Sequence, residues 1–245
     1  MDRAGLKGGV VLTQLRAGPC LQNRFDLLRA GGGLGFDAGL LGSYRFRVLD
    51  PYALPVLVSR LTSCASASDS SEPGKRAAVA AILRPGQGGG SAELLLVRRA
   101  EHPSDPWSGH MALPGGRRDE ADADLCETVV RETREEVGID LLEHGTRLVR
   151  LPDHPATVGG RRVGLVIAPF VFALHGDPEL IPDDQEIAEV VWTPLGPLAR
   201  GEGTGTFEYE HQGMLYELPY LDVGGRRVWG LTYQMLQQLF HVLHS

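Results

Sequence analysis

The sequence predicts a mixed α/β fold with a small sheet and few helices. Two observations carry that expectation: several short apolar runs are bounded by Pro and Gly, as strands are, and two longer stretches repeat apolar residues with a period near 3.6. A third is negative, in that no self-similarity with a period of about 20 to 50 residues is visible, which sets aside solenoids and propellers. Of the 245 residues 42% are apolar and 22% charged, so the chain can bury a sizeable core and does not read as disordered or fibrous.

The elements follow in order. Residues 1–42 are rich in glycine (Gly31, Gly32, Gly33, Gly35 and Gly39) and have no sustained apolar period. Ordering them would cost chain entropy with little burial in return, so they are expected to form a flexible N-terminal extension, with one domain over 43–245. The glycine run lacks the spacing of a nucleotide-binding fingerprint and does not sit between a strand and a helix. A short helix is expected over 52–61, and the Ser-rich stretch 62–76 reads as a surface loop or linker. Strands are expected over 77–83, 93–98, 162–174, 187–192, 206–209 and 215–221, the last two turned into a hairpin by 211–213. Helical period marks 124–137 and 229–243, where Leu231, Met235, Leu239 and Val242 recur at spacings of three and four.

Composition also excludes functions. The net charge of −7 leaves no basic field to hold a nucleic-acid backbone, so no general DNA or RNA binding is expected. The longest apolar run, 163–174, is about half the length a bilayer crossing requires and contains Pro169. No membrane span is expected. Three cysteines (Cys20, Cys64 and Cys126) lie far apart and no signal-type arrangement opens the chain, so a reducing cytoplasm fits the sequence best.

Chemistry concentrates in one segment. A turn, Pro114-Gly115-Gly116-Arg117-Arg118-Asp119-Glu120, is followed by Asp122 and then by Arg131-Glu132-Thr133-Arg134-Glu135-Glu136-Val137-Gly138 on the helix. Glu132, Glu135 and Glu136 stand at i, i+3 and i+4, so three carboxylates are expected on one helical face. Cys126, Val129, Val130, Thr133 and Val137 form a separate stripe suited to packing on a sheet, which makes Cys126 a core residue rather than a nucleophile. Like charges at these spacings oppose helix formation, so a cation is expected in front of them, and Mg²⁺, which takes carboxylate oxygens together with substrate phosphates, suits the place. A salt-bridged solvated face, with Arg131 paired to Glu135, is the competing account.

The order Gly116, five residues, Asp122, then Arg131-Glu132-x-x-Glu135-Glu136-x-Gly138-Ile139 resembles the signature box of the Nudix hydrolase family. It departs from that pattern by Asp in a Glu place, by eight residues instead of seven before Arg131, and by Thr133 where an apolar residue is preferred. Leu113-Pro114-Gly115-Gly116, together with 94–100 and 109–112, is similar to the coenzyme A pyrophosphatase branch. There Asp105 occupies the place of an expected Arg. Downstream, 183–195 resembles the family's closing loop and strand, and 227–232 the start of its last helix.

The resemblance implies an α/β/α sandwich with a mixed sheet and hydrolysis of the diphosphate bond in a small nucleotide-diphosphate substrate. Coenzyme A or an acyl derivative is the first candidate, and ADP-ribose, NADH or a dinucleoside polyphosphate the alternative. A nucleotide-binding sensor without catalysis is the reading from another class, and a homodimer is compatible with all of them. By the same resemblance the Gly115 carbonyl, Glu132, Glu135 and Glu136 would bind Mg²⁺ or Mn²⁺, and Arg131 would hold the carboxylates. Glu132, Glu135 or Glu186 would take a proton from the attacking water, with Asp183, Asp184 and Glu189 competing for the role of Glu186. Arg99 and Arg117 are candidate phosphate ligands, with Arg98 beside them. Trp107, in a loop with His102, Pro103, Asp105 and Pro106, could stack on substrate. His110 has no partners at zinc spacing, and no Gly-x-Ser-x-Gly elbow is present.

Overall fold

A computed structural model describes residues 50–68, 75–102, 107–158 and 161–245. The expected extension over 1–42, and Pro103, Asp105 and Pro106 of the loop, lie outside the described residues.

Helix α1 (Leu54–Ser63) leads into an eight-stranded sheet made of β1 (Lys75–Arg84), β2 (Glu93–Arg99), β3 (Met111–Ala112), β4 (Gly115–Arg117), β5 (Gly145–Arg150), β6 (His154–Val158), β7 (Arg161–Leu174) and β8 (Ile187–Pro194). Between β4 and β5 come α2 (Leu125–Val137) and the short α3 (Leu141–His144), and α4 (Leu195–Ala199) follows β8. The central order is β3-β2-β1-β7-β5, with β4 on β1, β6 on β7 and β8 on β2. β1 and β7 run parallel, from Lys75 opposite Leu165 to Leu83 opposite Ala173, whereas the other pairs are antiparallel, so the sheet is mixed as expected.

Strand alternation splits the core into two layers. On β1, Ala77, Val79, Ala81 and Leu83 join Leu57 and Leu61 of α1, while the intervening Ala78, Ala80 and Ile82 are equally buried on the opposite face. α5 (Gly230–His244) packs with α1, and its Leu236 and Leu239 belong to the first layer. α2 lies against β1 and β4 with Val129 and Val137 fully buried. The result is the α/β/α sandwich the family pattern implies.

Two expectations need correction. The stretch 62–76 is not all loop: Thr62 and Ser63 finish α1, Lys75 and Arg76 open β1, and the Ala67 amide bonds to the Arg150 carbonyl at 3.0 Å, which ties this connection to the sheet. The strands beyond β8 do not join the main sheet. β9 (Thr204–His211), β10 (Met214–Val223) and β11 (Arg226–Trp229) form a separate antiparallel sheet. Strands β3 to β6 and β11 escaped the sequence reading because short or polar strands are held by ladder pairing and not by a burial pattern of their own. The β9–β10 hairpin does turn where expected, with Gln212 and Gly213 both at positive φ (52° and 76°), the geometry of a two-residue type I′ loop. No helix among the described residues is long and apolar enough to cross a membrane.

Candidate active site

The site is assembled around α2. Its N-terminus is set by Asp124, whose side chain accepts the Glu127 amide at 2.8 Å, while Glu127 reaches back to the Ala123 amide at 2.6 Å. Gly138 ends the helix in the left-handed conformation with φ 77°, and a side chain there would collide with Ile181. Leu125, Cys126, Val129, Val130 and Val137 are buried, as the apolar stripe requires.

The three carboxylates do not share one environment. Glu136 is only 2% exposed and accepts the Gly115 amide on Oε2 at 2.7 Å, with Arg99 Nη1 at 3.9 Å from Oε1. Burial, reinforced by the nearby Glu132, pushes its pKa up to about 8. Glu132 lies against Gly116, so close that a Cβ at Gly116 would stand 2.3 Å from its Oε2. Its carboxyl is also raised, mainly by desolvation. Glu135 is the exposed member: it shares Arg131 Nη1 with Glu132, each at 2.9 Å, adds to the charge that raises Glu132, and stands outside the lining of the cavity that holds the other two. On a helix Glu136 is rotated by roughly 100° from Glu135, and the sheet covers only the Glu136 side.

Arg131 organises the cluster. Its Nε and Nη2 both bind Asp122 at 3.0 Å, its Nη1 lies 2.9 Å from Glu132, and Nη2 also donates to the Arg117 carbonyl at 3.1 Å. That contact holds the Asp122 carboxyl down at about 2.

The four candidate loop acids separate cleanly. The loop before β8 is pinned to the end of α2, since the Ile181 amide donates to Val137 and the Asp183 amide to Glu136, and the Ala100 amide ties Glu186 to the end of β2. Glu186 alone of the four lines the cavity. Asp183 folds onto the Gln185 amide, Asp184 is exposed, and Glu189 binds Arg226, at 2.9 Å from its Nε, and Arg98. Arg99, Trp107 and Arg117 line the same cavity with Gly115, whereas Arg98 is committed to Glu189.

One wall of this cavity was missed. Tyr209 and His211 of β9, Tyr216 and Leu218 of β10, and residues from Trp229 to Met235 line it. Their two-residue alternation shows that they share a face, yet only the placement of the second sheet shows that the face meets the carboxylates.

Among the described residues no three acidic, His or Cys side chains are already gathered as a cage for a metal ion. Arg131 draws Glu132 and Glu135 toward itself. Even so, a divalent cation fits the donor set. Glu136 and Glu132 are oxygen donors withdrawn from water, Glu132 adding to the cost of ionising Glu136 and the charges of Glu135 and Glu186 adding to that of Glu132, and a hard cation would relieve both.

Known proteins resemble this chain in sequence and in fold. The chain is 34% identical over 146 residues to the human mitochondrial coenzyme A diphosphatase NUDT8, covering 58% of this chain and 59% of that one. It is 39% identical over 107 residues to an uncharacterized protein of Schizosaccharomyces pombe, covering 43% of this chain and 32% of the other. The chain thus spans about a third to three fifths of the length of these relatives. A solved MutT/nudix family protein from Enterococcus faecalis is 18% identical, with a TM-score of 0.49 over 83% of this chain and 76% of that one. The NUDIX domain model matches residues 74–208, which include β1, the Gly-Gly turn, α2 and Glu186, and the chain therefore belongs to the Nudix family.

Proposed function

We propose that the chain is a divalent-cation-dependent pyrophosphohydrolase that cleaves the diphosphate bond of a nucleoside diphosphate joined to another group. The observation that supports this most directly is a single cavity of about 590 Å³ lined by Glu132, Glu136 and Glu186 together with Arg99 and Arg117. A binding module would have little use for three carboxylates where a polyphosphate must lie, and that weighs against the sensor reading. Mg²⁺ or Mn²⁺ held by Glu132 and Glu136, with the Gly115 carbonyl implied by the family pattern, would neutralise phosphoryl charge and lower the pKa of a water.

The chain's own groups do the rest. Arg99 and Arg117 bind the diphosphate oxygens with charge-assisted hydrogen bonds. Glu186, exposed and opposite the Arg99 end of β2, receives the proton of the attacking water, whose oxygen forms the new P–O bond as the bridging P–O bond breaks. Arg131 holds Glu132 in register with the Gly-Gly turn.

Coenzyme A is the preferred substrate, giving 4′-phosphopantetheine and 3′,5′-ADP, and the name of the human relative supports that choice. The test is a product-resolved assay of coenzyme A, dephospho-coenzyme A, ADP-ribose, NADH and dinucleoside polyphosphates with Mg²⁺ and with Mn²⁺. Coenzyme A should give the highest kcat/KM. Rapid cleavage of ADP-ribose or a dinucleotide without coenzyme A turnover would replace the substrate and keep the reaction, and no cleavage of any compound would overturn both.

A further inference from the structure

Helix α5 starts at the cavity. Trp229, Gly230, Leu231 and Thr232 all line it. The first amides of an α-helix have no partner within it, and α5 begins with no capping side chain and no acidic residue in its first turn. Its 15 residues align their peptide dipoles, so partial positive charge gathers at this end. Backbone itself meets the cavity here, since a Cβ built on Gly230 would find nothing within 4 Å. The start of the helix is also held in place, because the Trp229 ring is braced by those of His110, Tyr209 and Phe207, with centroids at 4.7, 5.0 and 5.3 Å.

Thr232 supplies an independent observation. It is only 7% exposed and lines the cavity, and its hydroxyl has no hydrogen-bond partner among the described residues. A polar group withdrawn from water without a partner costs free energy that a ligand can recover. Beside uncapped amides at the positive end of a helix, the ligand that recovers it is an anionic oxygen.

We propose that the first turn of α5 and the Thr232 hydroxyl form a second phosphate subsite, apart from the carboxylate centre, that takes a terminal phosphate monoester of the substrate. The assignment rests on the pyrophosphohydrolase reading, which places the diphosphate at Glu132, Glu136, Arg99 and Arg117 on other elements of the same cavity. A monoester carries close to two negative charges near neutral pH, more than either phosphate of a diphosphate diester, and so gains more from the helix terminus.

The experiment is calorimetric binding of coenzyme A and dephospho-coenzyme A to the full chain in EDTA, where no hydrolysis is expected. The pair differs by one phosphate monoester and shares the diphosphate. A hydrogen bond to a charged group can change affinity about tenfold or more. Coenzyme A should bind at least tenfold more tightly than dephospho-coenzyme A. Thr232→Val should shrink that ratio below about threefold, and Thr232→Ser should retain it. If Thr232→Val does not fold, Thr232→Ala replaces it with the same expected loss. Equal binding of the two compounds, an unchanged ratio in the folded variant, or no heat from either would overturn the subsite. Equal weakening of both by Thr232→Val would overturn it too, because α5 would then hold the diphosphate. Hydrolysis of both compounds with Mg²⁺ is followed separately. A Thr232-dependent preference without any cleavage would remove the reaction and leave the subsite, and cleavage with equal binding would do the reverse.

Discussion

Arg131 grips Asp122 with two nitrogens, Nε and Nη2, both at 3.0 Å, across an interval that is one residue longer than the Nudix pattern and with an acid one methylene shorter. The connection is also bonded internally, the Asp119 amide donating to Asp122 Oδ2 at 2.9 Å and the Arg118 Nη2 to the Asp122 carbonyl at 2.9 Å, and these contacts present the short carboxylate to the guanidinium. The result is a two-point, charge-assisted pair between the connection and the helix.

Removing this contact should cost stability in a pH-dependent way. Asp122 is 4% exposed and its carboxyl is lowered from 3.8 to about 2, so its contribution is present above pH 4 and is lost as pH falls toward 2. At neutral pH Asp122→Asn should destabilise the fold by about 1 to 3 kcal/mol, read as a melting temperature lower by several degrees. The gap between variant and wild type should close between pH 4 and pH 2. A constant gap over that range would mean that Asp122 acts by packing.

The two glycines of the turn should separate folding from activity. The nearest atoms to a Cβ at Gly116 are those of the Glu132 carboxylate, at 2.3 Å, the far end of a side chain and not backbone, so Gly116→Ala should melt within a few degrees of wild type and lose at least tenfold in kcat. Gly115 has φ 138°, and a Cβ there would stand 2.2 Å from the Ala78 carbonyl oxygen. Gly115→Ala should therefore destabilise by more than 2 kcal/mol, since backbone and not a side chain must move. Circular dichroism melts and initial rates on both variants check the contrast.

The buried carboxylate makes a metal-linked prediction. In Glu136→Gln the amide oxygen can still accept the Gly115 N–H, while the ionisable group forced up to about 8 by burial is gone. The variant should melt higher than wild type in EDTA, lose the stabilisation that Mg²⁺ or Mn²⁺ gives wild type, and fall at least a hundredfold in rate. An unchanged metal-induced shift would move the cation away from Glu136.

Glu186 should matter where its neighbours do not. Glu186→Gln should lower kcat by one to two orders of magnitude, the range of a lost general base, whereas Asp184→Asn should stay within twofold. Equal effects would show that the loop acts by net charge alone.

Thr133 is fully buried on α2, and its hydroxyl has no hydrogen-bond partner among the described residues. Thr133→Val should raise stability by about 1 kcal/mol with turnover unchanged, because a desolvated hydroxyl is replaced by a methyl of similar size. A lower melting temperature would reveal a partner for that hydroxyl.

The sequence by itself determined the elements whose identity is local. The hairpin turn is written in His211, Gln212 and Gly213 and the buried strand β7 in a long run of apolar residues, and each was legible because neighbours along the chain decide it. The Gly-Gly turn and the Glu-rich helix were legible for the same reason. Tertiary structure alone decided which carboxylates meet. Glu135 and Glu136 are adjacent in sequence yet one faces water and the other the sheet, and Glu186 was separated from Asp183, Asp184 and Glu189 only by hydrogen bonds joining its loop to α2 and β2. The aromatic and aliphatic wall was hidden likewise, since alternation on β9 and β10 shows which residues share a face but cannot say what that face meets. Periodicity records a residue's place on its own element, whereas a site is made where elements distant in sequence are packed against each other.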